Sequence, residues 1–230
     1  MKSFFLSSLF LGIVMLPFAQ QAALRGAFTT TKGDENSIWL FVDGYSSRTH
    51  YKDDEYRSTS GGPFTFSGNK LTVQLEYSDA HVDAVGSNET AQITLTADGF
   101  QEQDGTVWKK QATQKQELDG LWRITGRMQD DKMSRIQRAD RKTIKLLIDG
   151  YFQWIAINPA NKGFYGTGGG HYTFGNGKYK EHILFFSRDN ARVGAQLSFD
   201  GALRGRDWHH SGLSSKGDPI HEIWSRERED

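Results

Sequence analysis

Two octapeptides, Ile38–Tyr45 (IWLFVDGY) and Ile144–Tyr151 (IKLLIDGY), lie 106 residues apart (144 against 38) and anchor a longer internal repeat. Leu24–Phe28 returns as Leu118–Trp122, and Gly61–Phe66 as Gly169–Phe174, displaced by 108 (169 against 61). Lys70–Ser78 returns as Lys178–Ser187 with one residue gained, and Thr106–Lys110 as Glu222–Arg226, displaced by 116 (222 against 106). Five matches in one order, with slowly growing displacement, describe one unit built twice, and a repeat of this kind fixes the architecture before any single element does. The polar stretch KQATQKQE, residues 110–117, separates the copies.

Each copy reads as short strands joined by turns. In the second, GGGHYTFGNGKYKEHILFF carries Asn176-Gly177 between two strand-like runs. That pair favours a two-residue type I′ turn, because both of its central residues need positive φ. Strands are expected over 118–126, 143–149, 151–158, 164–174, 178–187, 193–203, 206–213 and 220–226. Eight strands joined in sequence by hairpins form an antiparallel meander, and closing it into an up-and-down barrel removes the exposed edges. The expectation is all-β: a barrel over 23–110, a linker over 111–117 and a second barrel over 118–230. An eight-stranded barrel is either filled by side chains or holds one small ligand.

The bulk properties agree. With 15 Phe, 8 Tyr and 6 Trp the 230-residue chain is too aromatic to be disordered, and 25 Gly against 4 Pro suits many tight turns. Lys plus Arg equals Asp plus Glu at 28 each, so no global charge draws the chain to nucleic acid or anionic lipid. The absence of cysteine excludes disulfides, thiolate metal sites, thiol catalysis and a lipidated N-terminal cysteine. Lys2, the apolar run Phe4–Phe18 and the small pair Ala22-Ala23 have the layout of a signal peptide over residues 1–22. A secreted or periplasmic mature chain without an integral membrane span is therefore expected.

LDGLW at Leu118–Trp122 is similar to the Gly-x-Trp strand that opens the lipocalins and related calycins. IWSR at Ile223–Arg226 resembles their closing strand, whose basic residue caps the barrel beside that tryptophan. GGGHYTFGNGKYKEHILFFS resembles small secreted bacterial lipocalin-like domains of unestablished function. The first copy fits less well, with Phe28 for the tryptophan and Lys109 or Lys110 for the arginine. The resemblance implies a barrel, often with a hydrophobic ligand, and carries over no catalytic residue.

Alternation places Tyr179, Glu181 and Ile183 on one strand face. With His171 from the partner strand, a Glu, a Tyr and a His converging inside the barrel can hold a polar headgroup or move a proton; the plainer reading is a Glu paired with a basic neighbour. Phe152 and Trp154 share a face and are candidates for a cavity wall. His209, His210, His221 and Glu222 form a cluster, but neighbours on a strand point to opposite sides, so His209 and His210 cannot both serve one interior ion, and no metal site is expected. No haem attachment motif is present and no cofactor is expected. Gly168–Gly170 enters a strand with no Gly-Lys-Ser/Thr after it, so it reads as a bulge that helps the barrel close, not as a phosphate loop. The insertion Met128–Lys142 has Met133 and Ile136 spaced for a short amphipathic lid, with Arg135, Arg138 and Arg141 placed for an acidic headgroup; the alternative is a solvated loop.

Three functions follow. The first is binding of a small hydrophobic molecule in the second barrel, with the first barrel a degenerate copy. The second is an isomerase or hydrolase using Glu181, Tyr179 and His171. The third is a non-catalytic envelope module with filled barrels. The sequence leaves the ligand and the oligomeric state open.

Overall fold

The computed structural model describes residues 22–129, 132–214 and 217–227; the signal-peptide reading of residues 1–22 falls almost wholly outside them. The first copy comprises β1 (Gly26–Lys32), β2 (Glu35–Val42), β3 (Tyr45–Lys52), β4 (Glu55–Ser67), β5 (Lys70–Gln74), β6 (Tyr77–Ser78), β7 (Asn88–Thr96), β8 (Gly99–Glu102) and β9 (Val107–Lys110). The second comprises β10 (Gly120–Gln129), β11 (Lys132–Arg135), β12 (Lys142–Ile148), β13 (Tyr151–Asn158), β14 (Gly163–Gly175), β15 (Lys178–Phe186), β16 (Gln196–Arg204), β17 (Asp207–Leu213) and β18 (Pro219–Arg226). Neighbouring strands pair antiparallel around each copy. The rings close where β9 meets β1 and where β18 meets β10, giving two eight-stranded barrels in tandem. The short β6 and β11 are additions to β4 and β10.

The turns show why the repeat keeps its aspartates, asparagine and glycines. Asp43-Gly44 (φ 48° and 72°), Asp149-Gly150 (51° and 78°) and Asn176-Gly177 (51° and 71°) all have positive φ at both central residues. That is the geometry of the I′ turn, which matches strand twist. The glycine run in β14 is a bulge, with the register slipping between Gly169 and Gly170. A Cβ on Gly170 would lie 2.0 Å from the His182 carbonyl oxygen, so no larger residue fits this bend.

The strand expected over Lys70–Ser78 is broken. Pairing on β4 stops at Val73, and Tyr77–Ser78 returns to pair with β4 further back at Ser60 and Gly61. The described residues of the insertion Met128–Lys142 form no helix. Lys132–Arg135 pairs back onto Gly126–Gln129, extending β10 as a ribbon.

Each barrel has its own apolar interior. Phe28, Trp39, Phe41, Phe64, Phe100 and Trp108 lead that of the first; Trp122, Phe152, Tyr172, Tyr179, Trp208 and Trp224 lead that of the second. A third apolar cluster lies between the barrels. β2 and β12 are apolar on both faces: Trp39, Phe41 and Leu147 point into their own barrels, while Ile38, Leu40 and Val42 meet Ile144, Leu146 and Ile148 across the interface. Strands covered on both sides read as continuous apolar runs rather than alternating ones. Inside this interface Gln153 accepts from Ser47 Oγ (2.6 Å) and donates to the hydroxyls of Thr59 (3.2 Å) and Thr167 (3.0 Å). At its margin Lys142 pairs with Glu76 at 2.7 Å. The connection is pinned as well: the Gln111 amide donates to the Ala27 carbonyl, and Phe174 N–H donates to Gln116 Oε1 at 2.6 Å.

Candidate functional site

On β12 the alternation that sends Ile144, Leu146 and Ile148 to the interface sends Lys145 into the second barrel. Its ammonium meets Glu181 of β15 at 3.0 Å, with side chains 4% and 7% exposed. The rings of Tyr179, Trp224, Trp208 and Phe152 surround it, with centroids 5.0–5.7 Å from Nζ. A charge this deep is tolerated only when paired, and desolvated ring faces add to its stabilisation.

A second polar pair comes from β17 and β18. The register sets His210 opposite Glu222 and Trp208 opposite Trp224. His210 Nδ1 lies 3.4 Å from Glu222 Oε2, which also accepts from Trp224 Nε1 at 3.0 Å. Burial is the main influence on His210 and holds its imidazole below the ordinary range, against the pull of Glu222. Burial opposes charge on Glu222, but the hydrogen bonds from His210 and Trp224 and the charge of Lys145 outweigh it, and the carboxyl stays below its usual value. Burial, then the neighbouring Glu181, pushes the Tyr179 phenol far above its usual value, so it stays protonated.

These groups form a belt across the barrel. Below it the aromatic plug of Trp122, Phe152, Tyr172, Tyr179 and Trp208 closes one end. Above it a cavity of about 230 Å³ opens, walled by Trp154, Ile183, Phe186, Leu197, Phe199 and Ile220, with Lys145, Glu181, His210 and Glu222 at its polar side. Tyr179 Oη, Trp208 Nε1 and His210 Nε2 are buried without a hydrogen-bond partner of ordinary geometry among the described residues. The plugged end is capped by Arg226, whose guanidinium lies 4.0 Å over the Trp122 ring and donates to the carbonyls of Asp119 (2.5 Å) and Glu117 (3.1 Å). Lys110 stands over Phe28 at 5.8 Å in the first barrel.

Of the residues singled out from sequence, Tyr179, Glu181 and Phe152 are interior, and Trp154 walls the cavity. His171 does not join them. The two-residue turn pairs Gly175 with Lys178, so counting back sets His171 opposite His182 and gives Glu181 the partner Tyr172. His171 is on the outer face, its ring 4.4 Å from that of Tyr151 and 6.3 Å from that of His182. The Glu181, Tyr179 and His171 constellation is thus not assembled.

The lid residues are also elsewhere. Met133 and Ile136 are each 38% exposed on the β11 ribbon and just beyond it. Arg135 pairs with Asp207 at 3.5 Å, Arg138 with Glu227 at 2.8 Å, and Arg141 stacks over Tyr165. Their charges are engaged on the barrel wall. His209 and His221 face each other on the outside, with rings 5.8 Å apart, while His210 points in. Among the described residues no three His, Cys, Asp or Glu side chains are grouped to hold a metal.

Sequence reasoning missed Lys145 as a functional residue and placed His210 and Glu222 in the wrong context. The signal for Lys145 was a lone cation inside an apolar strand. For the other two it was the parity of DWHHS against HEIW, which puts one histidine and the glutamate on the same face as the tryptophans. A larger hollow of about 550 Å³ lies outside the first barrel, where β1 and β9 pair over only two residues. It is an open groove lined by Thr29–Lys32, Thr106 and Lys109, and no buried charge faces it. In comparisons with known proteins, no family model matches the chain and no curated protein matches it.

Proposed function

We propose that this is a secreted or periplasmic lipocalin-like protein whose second barrel binds a small, largely apolar molecule. The observation that carries the reading is the cavity above the Lys145–Glu181 and His210–Glu222 belt: aromatic and aliphatic walls converge on a few fixed polar groups, the usual composition of a small-molecule site. Its size sets the scale of the ligand. A cavity of about 150 Å³ accommodates benzene, so about 230 Å³ suits one substituted ring better than a long-chain lipid. The Arg226 cap over Trp122 and the tandem closed barrels support the calycin likeness. The first barrel carries Trp39 and Val73 where the second has Lys145 and Glu181, and its outer face completes the fold of the second.

Native mass spectrometry of the purified protein, followed by titration with small aromatic and aliphatic ligands, tests the reading. Binding is expected to quench tryptophan fluorescence, and Trp154→Phe to remove most of that signal. No co-purifying molecule, and no binding across a broad panel of rings, short lipids and sterols, would overturn it.

A further inference from the structure

We infer that the molecule held in the second barrel is a small aromatic carrying a neutral hydroxyl, a phenol, with the hydroxyl seated between His210 and Lys145. The inference rests on the reading of this barrel as a binding cavity and adds the chemical class.

The argument is one of donors and acceptors. Glu222 presents to His210 Nδ1 a carboxylate that can only accept, so Nδ1 carries the imidazole proton. Nε2 then holds a lone pair. It is buried, its side chain is 3% exposed, no donor among the described residues reaches it, and the residue lines the cavity. A buried acceptor left unmatched is costly, so a ligand that donates a proton there is selected. Lys145 offers the opposite. Its ammonium has three donors, Glu181 takes one, and the ring faces around it take none as a conventional acceptor would. A ligand oxygen beside Lys145 is therefore accepted as well.

Only a group that both donates and accepts meets both demands. A hydroxyl does. A carboxylate accepts from Lys145 but leaves Nε2 unmatched and faces Glu181 and Glu222. An ammonium donates to Nε2 but has nothing to accept with and meets the charge of Lys145. A bare hydrocarbon ring satisfies neither. The rest of the cavity, with Trp154 and Phe186 edge to face at 5.5 Å and Ile183, Leu197 and Ile220 beside them, takes the ring.

The test is calorimetric titration of the full mature protein with four probes of one shape: p-cresol, p-xylene, p-toluate and 4-methylbenzylamine. The expected result is p-cresol binding about ten-fold tighter than p-xylene, the effect of one hydrogen bond to a buried group, with the two charged probes weakest. In His210→Phe the p-cresol to p-xylene ratio is expected to fall to about one. A readout that needs no variant is the ring nitrogen spectrum of wild-type His210, whose unprotonated Nε2 resonance should move with p-cresol and not with p-xylene. Equal affinity for p-cresol and p-xylene overturns the hydroxyl inference and leaves the cavity reading standing. Tightest binding of p-toluate or of the amine replaces the class. Failure of all four to bind overturns the phenol inference, and the cavity reading falls with it only if the broader panel of rings, short lipids and sterols fails as well.

Discussion

Glu181→Gln separates a structural belt from a reactive one. The substitution keeps the shape of the side chain and removes the charge that Lys145 faces at 3.0 Å. Removing one partner of a buried ion pair costs about 3–5 kcal/mol, because the other charge is left desolvated. With both side chains under 10% exposed no surface discount applies, but the cavity gives this end of the barrel room for water. The lower end, about 3 kcal/mol, is the expected loss. For a chain of this size that corresponds to a fall of roughly 6–12 °C in melting temperature. Lys145→Met should be comparably destabilising. The double variant Lys145→Met with Glu181→Leu should return to within about 1 kcal/mol of the wild type, since apolar replacement of a buried pair is often neutral or better.

Urea unfolding followed by tryptophan fluorescence reads this barrel well, because Trp122, Trp154, Trp208 and Trp224 all belong to it. A loss below about 1 kcal/mol in Glu181→Gln would refute the reasoning: Lys145 would then be hydrated, and the belt would be no desolvated floor. A double variant as unstable as the two single changes summed would refute it equally, since no coupling would exist between them.

Three further outcomes follow from the structure. His210 is held below its ordinary value, so between that lowered value and about 6.5 the unfolded chain binds more protons than the folded one; stability is full above about pH 6.5 and falls on acidification through that window. Glu222, also lowered, adds a second loss at more acid pH, as the solution falls through its folded value. His50, His171 and His209 shift in the same direction as His210, so His210→Phe should remove part of the first step; a melting temperature that rises between pH 7 and pH 5 would contradict this. At the interface, Gln153→Leu strips three hydroxyls of a partner and should cost about 2 kcal/mol. The second barrel expressed alone, residues 118–230, uncovers Ile144, Leu146, Ile148, Ile155, Ile157 and Phe185 and should self-associate in size-exclusion chromatography; a stable monomer would show that the interface contributes little.

The barrels were legible because their signals are local. Aspartate-glycine and asparagine-glycine turns recur at fixed displacement, and each has the positive φ pair those residues favour. Period-two alternation then decides the inward face, and it places Tyr179 and Glu181 correctly inside. Sequence reading failed where a face is decided by something distant. SIWLFV and IKLLI are apolar at both parities because a second barrel covers their outer side, and no residue within either strand says so. The same cover hides Lys145, which reads as a surface residue until the interface claims Ile144 and Leu146 on either side of it. His171 differs for another reason: the hairpin signal alone leaves its face open, and the two-residue turn sets it opposite His182 on the outside. The ribbon at β11 depends on cross-strand contacts such as Met128 with Met133, which compete with the helical spacing that the same residues display.

Comparison of the two interiors shows what sets the second apart. The cross-strand pair Trp39 with Arg48 in the first barrel occupies the register of Lys145 with Trp154 in the second, each displaced by 106 (145 against 39, 154 against 48). Cation and tryptophan have exchanged places. In the first copy Trp39 packs among Phe41, Phe100 and Trp108, and Arg48 sits toward the rim over the Trp39 ring, paired with Glu89. In the second copy the tryptophan has moved to the rim and the cation to the interior, where a lysine fills less width than an indole. Glu181 then stands where the first copy has Val73, because a buried ammonium requires a counter-charge. The exchange gives the space above the belt an aromatic wall and a polar floor, where the hollow of about 460 Å³ at the equivalent place in the first copy is lined by Arg48, His50 and Glu89. The first barrel gains stability from the packing of Trp39 at this position; the second has given up that packing for a paired charge, a substitution that stability alone does not favour.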